Sequence, residues 1–207
     1  MKVRDLIARS SAPPFVNPPL KFMWLEITNR CNERCSHCYN DSGPHRKNDS
    51  TLSFAEWLEV LSAGARLGCR GVQFIGGEPT LVPELPELIG HARRLGFELI
   101  EVFTNGTAIT DRLLDCFVEN QVQVAVSLYG TSPQAHDRIT ILPGSFLKTV
   151  DALRRMHAAN VPLRVGVIAI DQQEGEVQRT MEFVRSLGIA SVGTDHARAI
   201  GRAEALT

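Results

Sequence analysis

Along most of this 207-residue chain, short apolar segments alternate with longer segments of helical periodicity. Of the features of the sequence, this alternation most limits the folds that the chain can adopt. Six segments rich in Val, Ile and Phe have the length and composition of buried strands. These predicted strands are 22–27, 71–76, 98–104, 122–128, 162–170 and 189–194. Helical periodicity predicts the intervening or following helices at 53–67, 83–95, 110–119, 145–159 and 173–187. Repeated βα units of this kind are typical of a parallel sheet covered by helices.

Six β units are too few for a closed eight-fold barrel, so we expect an α/β fold with an open six-stranded parallel (β/α)6 partial TIM barrel. With 43% hydrophobic residues, the chain can bury one core as a single domain. Residues 1–18 are punctuated by Ser and Pro, which predicts a poorly ordered lead, and 19–207 form the predicted core domain. Functional residues are expected in the loops after each strand, at the carboxyl ends of the sheet.

Charge and hydropathy exclude several classes of partner. The formal net charge of -1 gives no general attraction to nucleic acid or to an anionic membrane. No stretch approaches the roughly 18 apolar residues of a membrane-spanning helix, and the N-terminus lacks the apolar run of a secretory signal. Five cysteines, an odd number, do not form a complete disulfide framework. We therefore expect a cytoplasmic protein with no nucleic-acid or membrane partner.

The segment CNERCSHCY follows the first predicted strand and contains Cys31, Cys35 and Cys38. Three thiolates on a short curved segment can bind one metal centre from different directions and leave one coordination position open. A zinc ion would need His37, Cys69 or water as its fourth ligand, whereas a 4Fe–4S cluster would keep one iron free for an exogenous ligand. Incidental core thiols are the third interpretation, and Cys69 and Cys116 themselves fit small buried hydrophobic residues.

With its CxxxCxxC segment after the first strand of a six-fold partial barrel, the sequence resembles the radical S-adenosylmethionine (SAM) enzymes, whose last cysteine is flanked by an aromatic residue, here Tyr39. The resemblance implies that Cys31, Cys35 and Cys38 bind three irons of a 4Fe–4S cluster and that SAM binds the fourth. One electron from the cluster would cleave SAM to methionine and a 5′-deoxyadenosyl radical. An external electron donor is implied as a partner.

Further motifs match the same family in the same order. The segment GGEPT after the second strand resembles the site for the SAM amino group, and FTNGT after the third resembles a recurrent turn that includes Thr104 and Asn105. The segment SLYG resembles the family's SLDG pattern, with Tyr129 in the place of the aspartate. Together with Tyr39, the cofactor-binding residues that the resemblance implies are Gly76, Gly77, Glu78, Pro79, Ser127, Arg138, Val167 and Ile168. Arg138 is expected to meet the SAM carboxylate, or else to be an exposed loop arginine, and Val167 and Ile168 to pack against adenine.

The resemblance extends over about residues 22–202 and is closest to members that act on ribosomally made peptides. Those members continue into a cysteine-rich extension, called SPASM or twitch, that carries auxiliary clusters. No cysteine follows Cys116 here, which predicts a truncated or short member without an auxiliary cluster. We expect hydrogen abstraction from a peptide substrate. The alternatives are maturation of an enzyme or of a small-molecule cofactor, and a catalytically silent metal-binding scaffold.

Overall fold

The computed structural model describes residues 20–46, 52–170 and 175–206, and the lead predicted over 1–18 lies outside them. Six strands form one sheet in the order β1 to β6, and each pairs with the next in parallel. The strands are β1 Phe22–Thr28, β2 Gly71–Gly76, β3 Leu99–Thr104, β4 Gln123–Leu128, β5 Leu163–Ala169 and β6 Val192–His196. The predicted open, six-stranded parallel α/β fold is confirmed. The division into a lead and a core domain stays a prediction.

Six α-helices alternate with the strands in the described residues. They are α1 Phe54–Arg66, α2 Leu85–Arg94, α3 Asp111–Glu119, α4 Pro133–Thr140, α5 Ser145–Ala158 and α6 Glu176–Ser186. The predicted capping box begins α1, since the Ser53 side chain accepts from the Glu56 amide and the Glu56 side chain accepts from the Ser53 amide. None of these helices is both long enough and apolar enough to cross a membrane.

Helix α4 was not predicted, because most of its eight residues are polar and they stand between turn-forming residues. Ser132 caps it with a side-chain hydroxyl that accepts from the Ala135 amide, and Pro133 occupies its first turn, where a missing N–H costs nothing. Ile141 ends the helix in the left-handed conformation. This helix packs beside α5 and, as shown below, supports the cysteine loop.

The two faces of the sheet differ, because successive side chains of a strand point to opposite faces. Leu25, Val72, Phe74, Ile100 and Val102 point toward the helices and belong to the buried core. The opposite, concave face presents a mixture of polar and apolar side chains. Its functional end is the carboxyl end of the strands, where the loops meet.

Strand β6 begins and ends later than predicted, at Val192–His196 instead of 189–194. Ile189 is buried in the core before the strand begins, which explains why the apolar pattern started early. The difference matters because Ile168 of β5 pairs with Asp195, and Ala169 pairs with His196. Both β6 residues therefore reach the functional end of the sheet.

Candidate functional site

A cavity of about 450 Å³ opens at the carboxyl ends of the strands. Residues from the loops after β1, β2, β3 and β4 and from the ends of β5 and β6 line it. It includes most of the residues expected from the sequence, namely Cys31, Cys35, Cys38, Tyr39, Gly76, Gly77, Glu78, Ser127 and Ile168. The fold therefore brings together expected residues as far apart in the chain as Cys31 and Ile168.

The cysteine loop is held from two sides. Asn105 of the loop after β3 directs its side-chain amide toward the Cys31 Sγ at 3.9 Å and donates to the Asn32 Oδ1 at 2.9 Å. On the other side, the amides of Arg34 and Ser36 donate to the carbonyls of Thr140 and Ile139 at 3.0 and 2.9 Å. Those carbonyls lie in the last turn of α4, where helical carbonyls lack intrahelical partners. The loop completes the hydrogen bonding of this helix end.

Unpaired buried polar atoms gather beside the cysteines. Five buried side-chain nitrogen or oxygen atoms in the described residues lack a hydrogen-bond partner. Three of them, Glu33 Oε1, His37 Nδ1 and Ser42 Oγ, belong to residues that line the cavity with the cysteines. Since an unpaired buried polar group is costly, this concentration fits a site that receives a further group. The residues present therefore fit the cluster that the sequence implies.

The three thiols line the cavity without converging on a site for a single ion. No three His, Cys, Asp or Glu side chains within 20–46, 52–170 and 175–206 are placed to bind one metal ion. A 4Fe–4S cluster bonds each cysteine to a different iron, so its thiolates need not meet at a single point. Cys69 and Cys116 lie outside the cavity in the hydrophobic core, as predicted.

Burial controls the protonation of this loop. It raises the pKa of the Cys31 thiol to about 12 and that of Cys35 well above its usual value. It also raises the pKa of Glu33 to about 8, and Glu33 Oε2 accepts a hydrogen bond from the Cys35 Sγ at 3.1 Å. The pKa of His37 is lowered to about 4 by burial and by the charge of Arg202. The Cys31 and Cys35 thiols are therefore protonated at neutral pH when no metal is bound, so metal binding would release their protons.

The two glycines of the GGE segment contact the protein's own backbone. Gly76 has φ +132°, and a Cβ built there would lie 2.1 Å from the Thr28 carbonyl oxygen. A Cβ on Gly77 would lie 2.2 Å from the Arg30 carbonyl oxygen. The Gly77 and Glu78 amides donate to these same carbonyls at 2.6 and 2.9 Å. Only glycine allows this approach, which joins the loop after β2 to the entrance of the cysteine loop.

The carboxylate of Glu78 is almost fully buried, with 1% exposure, and is already bonded to protein. Its Oε1 accepts from the Thr80 amide at 3.0 Å and from the Thr80 and Thr104 hydroxyls, each at 2.6 Å. Its Oε2 accepts from the Asn105 amide at 2.7 Å. Burial raises the pKa of Glu78, while these hydrogen bonds oppose the rise. Glu78 thus joins the loops after β2 and β3, a role that its sequence position alone did not reveal.

The loop after β4 forms the wall opposite Glu78. Tyr129 is buried and makes a side-chain hydrogen bond with Ser127, and its ring lies edge-on to the His37 ring with 4.9 Å between centroids. The Tyr129 amide donates to the His136 Nδ1 at 3.2 Å. Ser127 lines the cavity as expected. Tyr129 stands where the resembled pattern has an aspartate, and its aromatic ring packs against His37 of the cysteine loop.

Three residues expected at the site lie outside the cavity lining. Val167 is fully buried on the helix-facing side of β5, because strand side chains alternate, and only its neighbour Ile168 faces the cavity. Arg138 is exposed on α4. Pro79 is buried in the short 3-10 turn Pro79–Leu81 behind Glu78. Direct cofactor contact for Val167, Arg138 and Pro79 stays a prediction, and the cavity lining adds no support to it.

Several cavity residues were not expected from the sequence. Glu33 lies inside the CxxxCxxC segment, but the resemblance implies no ligand or cofactor-binding role for its side chain. Phe103 projects from β3, and the segment from Asp195 to Arg198 leads out of β6. The Arg202 side chain reaches back from the segment after β6 to the cysteine loop. The later boundary of β6 and the long sequence separation of Arg202 from the loop explain why local patterns did not reveal these residues.

Comparison with known families gives one match over most of the chain. The family model described as Radical SAM superfamily matches residues 25–184. That range begins within β1 and ends near the end of α6, so it includes the cysteine loop and all but one of the strands.

Curated relatives match over the same region. The chain is 33% identical over 176 residues to a PqqA peptide cyclase of Streptomyces rochei, covering 84% of this chain and 46% of that protein. It is 28% identical over 180 residues to the sporulation killing factor maturation protein SkfB of Bacillus subtilis, covering 86% of this chain and 43% of that protein. The chain therefore spans about half the length of the curated relatives it matches.

Solved structures share the fold. The structure of Streptococcus suis SuiB bound to S-adenosylmethionine superposes with a TM-score of 0.75 at 14% identity, covering 87% of this chain and 41% of that chain. Native anSMEcpe with bound AdoMet gives a TM-score of 0.74 at 19% identity, covering 87% of this chain and 52% of that chain. At these identities the likeness shows the fold alone.

Proposed function

Because the chain belongs to the radical SAM superfamily of enzymes, we propose that Cys31, Cys35 and Cys38 bind a 4Fe–4S cluster and that SAM binds beside it in the same cavity. The observation that carries the proposal is the meeting of three thiols with unpaired buried polar atoms at the carboxyl end of a parallel sheet. A cluster held there by these cysteines would supply one-electron reductive cleavage of SAM, the source of a 5′-deoxyadenosyl radical for hydrogen abstraction.

The protein's contribution is to orient these groups and to exclude water. Asn105 supports Cys31 through its side-chain amide and joins it to the loop after β3. Ile75, Phe103 and Ile168 present apolar side chains to the cavity, which favours a planar ligand such as adenine and keeps water away. Ser127 supplies a polar group in the same wall.

The GGE segment has two roles in this proposal. Gly76 and Gly77 bring backbone to the edge of the cavity, where its polar groups can bind the methionine end of SAM. Glu78 holds that backbone in place, since all four of its hydrogen bonds are to protein groups. Three of these donors meet Oε1 and one meets Oε2, so the carboxylate is mainly bonded to protein and keeps one lone pair of Oε2 for the SAM ammonium group. The proposal therefore treats Glu78 first as a positioning residue.

The substrate that we propose is a peptide. One curated relative is named a PqqA peptide cyclase, and another is named a sporulation killing factor maturation protein. The segment Asp195–Arg198 lines the cavity, and its exposed charged residues can meet peptide groups. An external reductant supplies the electron. All five cysteines are free, which agrees with a reducing compartment, and we propose the cytoplasm.

The test of the cofactor proposal is anaerobic iron–sulfur reconstitution of the chain, followed by EPR spectroscopy of the dithionite-reduced protein with and without SAM. We expect a reduced-cluster signal that changes when SAM is added, together with 5′-deoxyadenosine. Cys35→Ala should lose the signal, whereas the matched control Cys69→Ala, which removes a thiol outside the cavity, should retain it. A wild-type cluster that is indifferent to SAM would leave the silent scaffold as the better account.

The peptide proposal is tested by following hydrogen abstraction directly. The reconstituted protein is incubated with SAM and a digest of uniformly deuterated protein, and the deoxyadenosine is analysed by mass spectrometry. We expect deuterium in the deoxyadenosine, because the radical would take it from a peptide. A parallel incubation contains deuterated amino acids, sugars and nucleosides of low molecular mass. Deuterium transfer only from this small-molecule mixture would overturn the peptide assignment.

A further inference from the structure

We propose that Arg202 is a positioning residue that fixes the conformation of the cysteine loop from the segment that follows β6. This proposal rests on the proposed function for its meaning, since the loop matters because it carries the cluster ligands. The contacts that support it do not depend on the proposed function, because all of them lie within the protein chain. The contact joins residues that are 160 or more positions apart.

Arg202 makes four hydrogen bonds to the loop. Its backbone amide donates to the Cys38 carbonyl, and its Nε donates to the Cys35 carbonyl, both at 2.9 Å. Its Nη1 donates to the Asp41 Oδ1 at 2.8 Å, and its Nη2 donates to the Ser42 carbonyl at 2.9 Å. Two of the three proposed cluster ligands are thus fixed through their own backbone carbonyls.

The geometry of these bonds requires arginine. Three side-chain nitrogens donate to three acceptors on different residues, which matches the planar fork of a guanidinium group. A lysine ammonium is a compact donor on a flexible stem and cannot reach these acceptors in the same arrangement. The Arg202 side chain is 25% exposed and that of Asp41 is 50% exposed, so the ion pair itself contributes little. The bonds to the Cys35 and Ser42 carbonyls carry the constraint.

Gly201 shows that the contact is closely packed. It has φ +63°, and a Cβ built there would lie 2.5 Å from the Tyr39 carbonyl oxygen and 2.6 Å from the Cys38 carbonyl oxygen. Both neighbours are backbone atoms, which cannot move aside as the end of a flexible side chain could. The sequence Gly-Arg therefore satisfies two needs at one place, close backbone approach and a three-way hydrogen-bond donor.

The contact between Arg202 and the cysteine loop also links the two edges of the sheet. β1 and β6 are the two edges of the open sheet, and the sheet order places four strands between them. The cysteine loop leaves β1, and Gly201–Leu206 forms a 3-10 helix after β6. Arg202 consequently joins the two edges across the functional end of the sheet. A change at the β6 edge would reach the loop through this residue.

Hydrogen exchange of the metal-free protein tests the constraint without any cofactor. The variants are Arg202→Gln, Arg202→Lys and the matched control Arg112→Gln, which removes an exposed arginine that is paired with Glu87 and does not line the cavity. The reporter is the Cys38 amide, bonded to the Cys35 carbonyl that Arg202 also holds. We expect its exchange to become about tenfold faster in Arg202→Gln and to increase less in Arg202→Lys.

Two amides in the same loop serve as internal references. The Arg34 and Ser36 amides are bonded to carbonyls of α4 rather than to atoms held by Arg202, so their exchange should change much less. Equal acceleration at all loop amides would indicate general unfolding, so the specific constraint would be rejected. Exchange at Cys38 that matches the Arg112→Gln control would also overturn the proposal.

A second measurement links the constraint to the cluster. After reconstitution, the rate of iron loss to a ferrous chelator should be several-fold faster in Arg202→Gln than in Arg112→Gln, with Arg202→Lys between them. Identical rates would show that the contact does not position the ligands. Failure of the wild-type protein to assemble a cluster would reject the proposed function, while the exchange experiment would still decide the role of Arg202.

Discussion

The loops that follow β1, β2 and β3 differ from strand β6 and the segment Asp195–Arg198 that leads out of it. In the first region, Glu78 and Asn105 connect the loops through buried hydrogen bonds, and Gly76 and Gly77 contact neighbouring backbone. In the second region, β6 is exposed from Gly193 onward, and Asp195 forms an exposed ion pair with Arg198 at 3.4 Å. The first region is therefore held in place by hydrogen bonds and close backbone contacts within the protein.

This difference separates two requirements of the site. A cluster and the methionine end of SAM need a rigid frame, because small displacements of ligands are costly. The adenine side and the substrate side must admit and release molecules, which an exposed edge strand allows. We therefore expect substitutions in the first region to reduce stability strongly. Equivalent substitutions in the second region should change stability little.

The largest effect is expected at Gly76, with Gly193 of β6 as its matched control. Alanine at Gly76 would adopt an unfavourable positive φ and place a Cβ 2.1 Å from the Thr28 carbonyl oxygen, whereas a Cβ on Gly193 meets no atom within 4 Å. Gly76→Ala should reduce the free energy of unfolding by roughly 3–5 kcal/mol, from backbone strain and overpacking together. Gly193→Ala should change it by about 0.5 kcal/mol or less. Denaturant unfolding measures both, and equal losses would remove the distinction between the regions.

Glu78→Gln should give the next largest effect. The amide group of Gln would face either the Asn105 amide or the donors that meet Oε1, so at least one buried donor would lose its acceptor. The expected loss of unfolding free energy is roughly 2–4 kcal/mol. The exposed control Glu59→Gln should be nearly neutral. A stable Glu78→Gln protein whose only defect is weaker SAM binding would contradict the positioning role and favour direct contact with SAM.

Asp137 tests whether a carboxylate outside the first region also organises structure. Although desolvation opposes it, hydrogen bonds from the amides of Phe146 and Gly144 and from the Ser145 hydroxyl lower the pKa of Asp137 below its usual value. Asp137→Asn should therefore cost about 2 kcal/mol of unfolding free energy at pH 7.

The pH dependence of this effect follows from the sign of the shift. A lowered pKa in the folded state gives stability that is present above the ordinary value of about 3.9 and is lost as the pH falls through the folded-state pKa. The difference between wild type and Asp137→Asn should consequently shrink below about pH 4. A difference that stays constant down to about pH 2 would show that the ionised carboxylate is not the stabilising species.

The smallest effect is expected for threonine-to-valine substitutions on two strands. Thr104 of β3 is buried and its hydroxyl donates to Glu78, whereas Thr194 of β6 is exposed. Thr104→Val should reduce the free energy of unfolding by roughly 1–2 kcal/mol, because the hydroxyl donates to Glu78 and also accepts from the Gly106 amide. Thr194→Val should be neutral or slightly stabilising, because valine favours strands. Thermal unfolding compares the two, and a larger loss at Thr194 would contradict the proposed difference.

Much of the fold could be predicted from local pattern. Five of the six strands agree with their predicted positions to within about one residue at either end, because buried parallel strands are short continuous apolar runs. Helix α4 was missed because its stabilising contacts are caps and tertiary hydrogen bonds rather than an apolar stripe. The boundary of β6 was shifted because Ile189 is buried outside the strand.

The candidate site was predictable where chemistry is concentrated in a motif. The cysteine spacing and the GGE segment pointed to residues that line one cavity. Val167 and Ile168 could not both face it, since neighbouring strand residues alternate sides, and only the register of the sheet showed which one does. The cluster-binding residues themselves stay a proposal until the reconstitution experiment is done.

The sequence by itself determined the order of the strands and of five helices, the thiol spacing and the family, because periodicity and short motifs are local properties of the chain. The tertiary structure decided what those residues contact. It showed that Glu78 is bonded to protein groups, that Gly76 and Gly77 approach backbone, and that Arg202 joins the two edges of the sheet at the cysteine loop. The physical reason is that a hydrogen bond or a close backbone contact needs two groups at a short distance. Residues far apart in sequence come that close only when the chain is folded and packed.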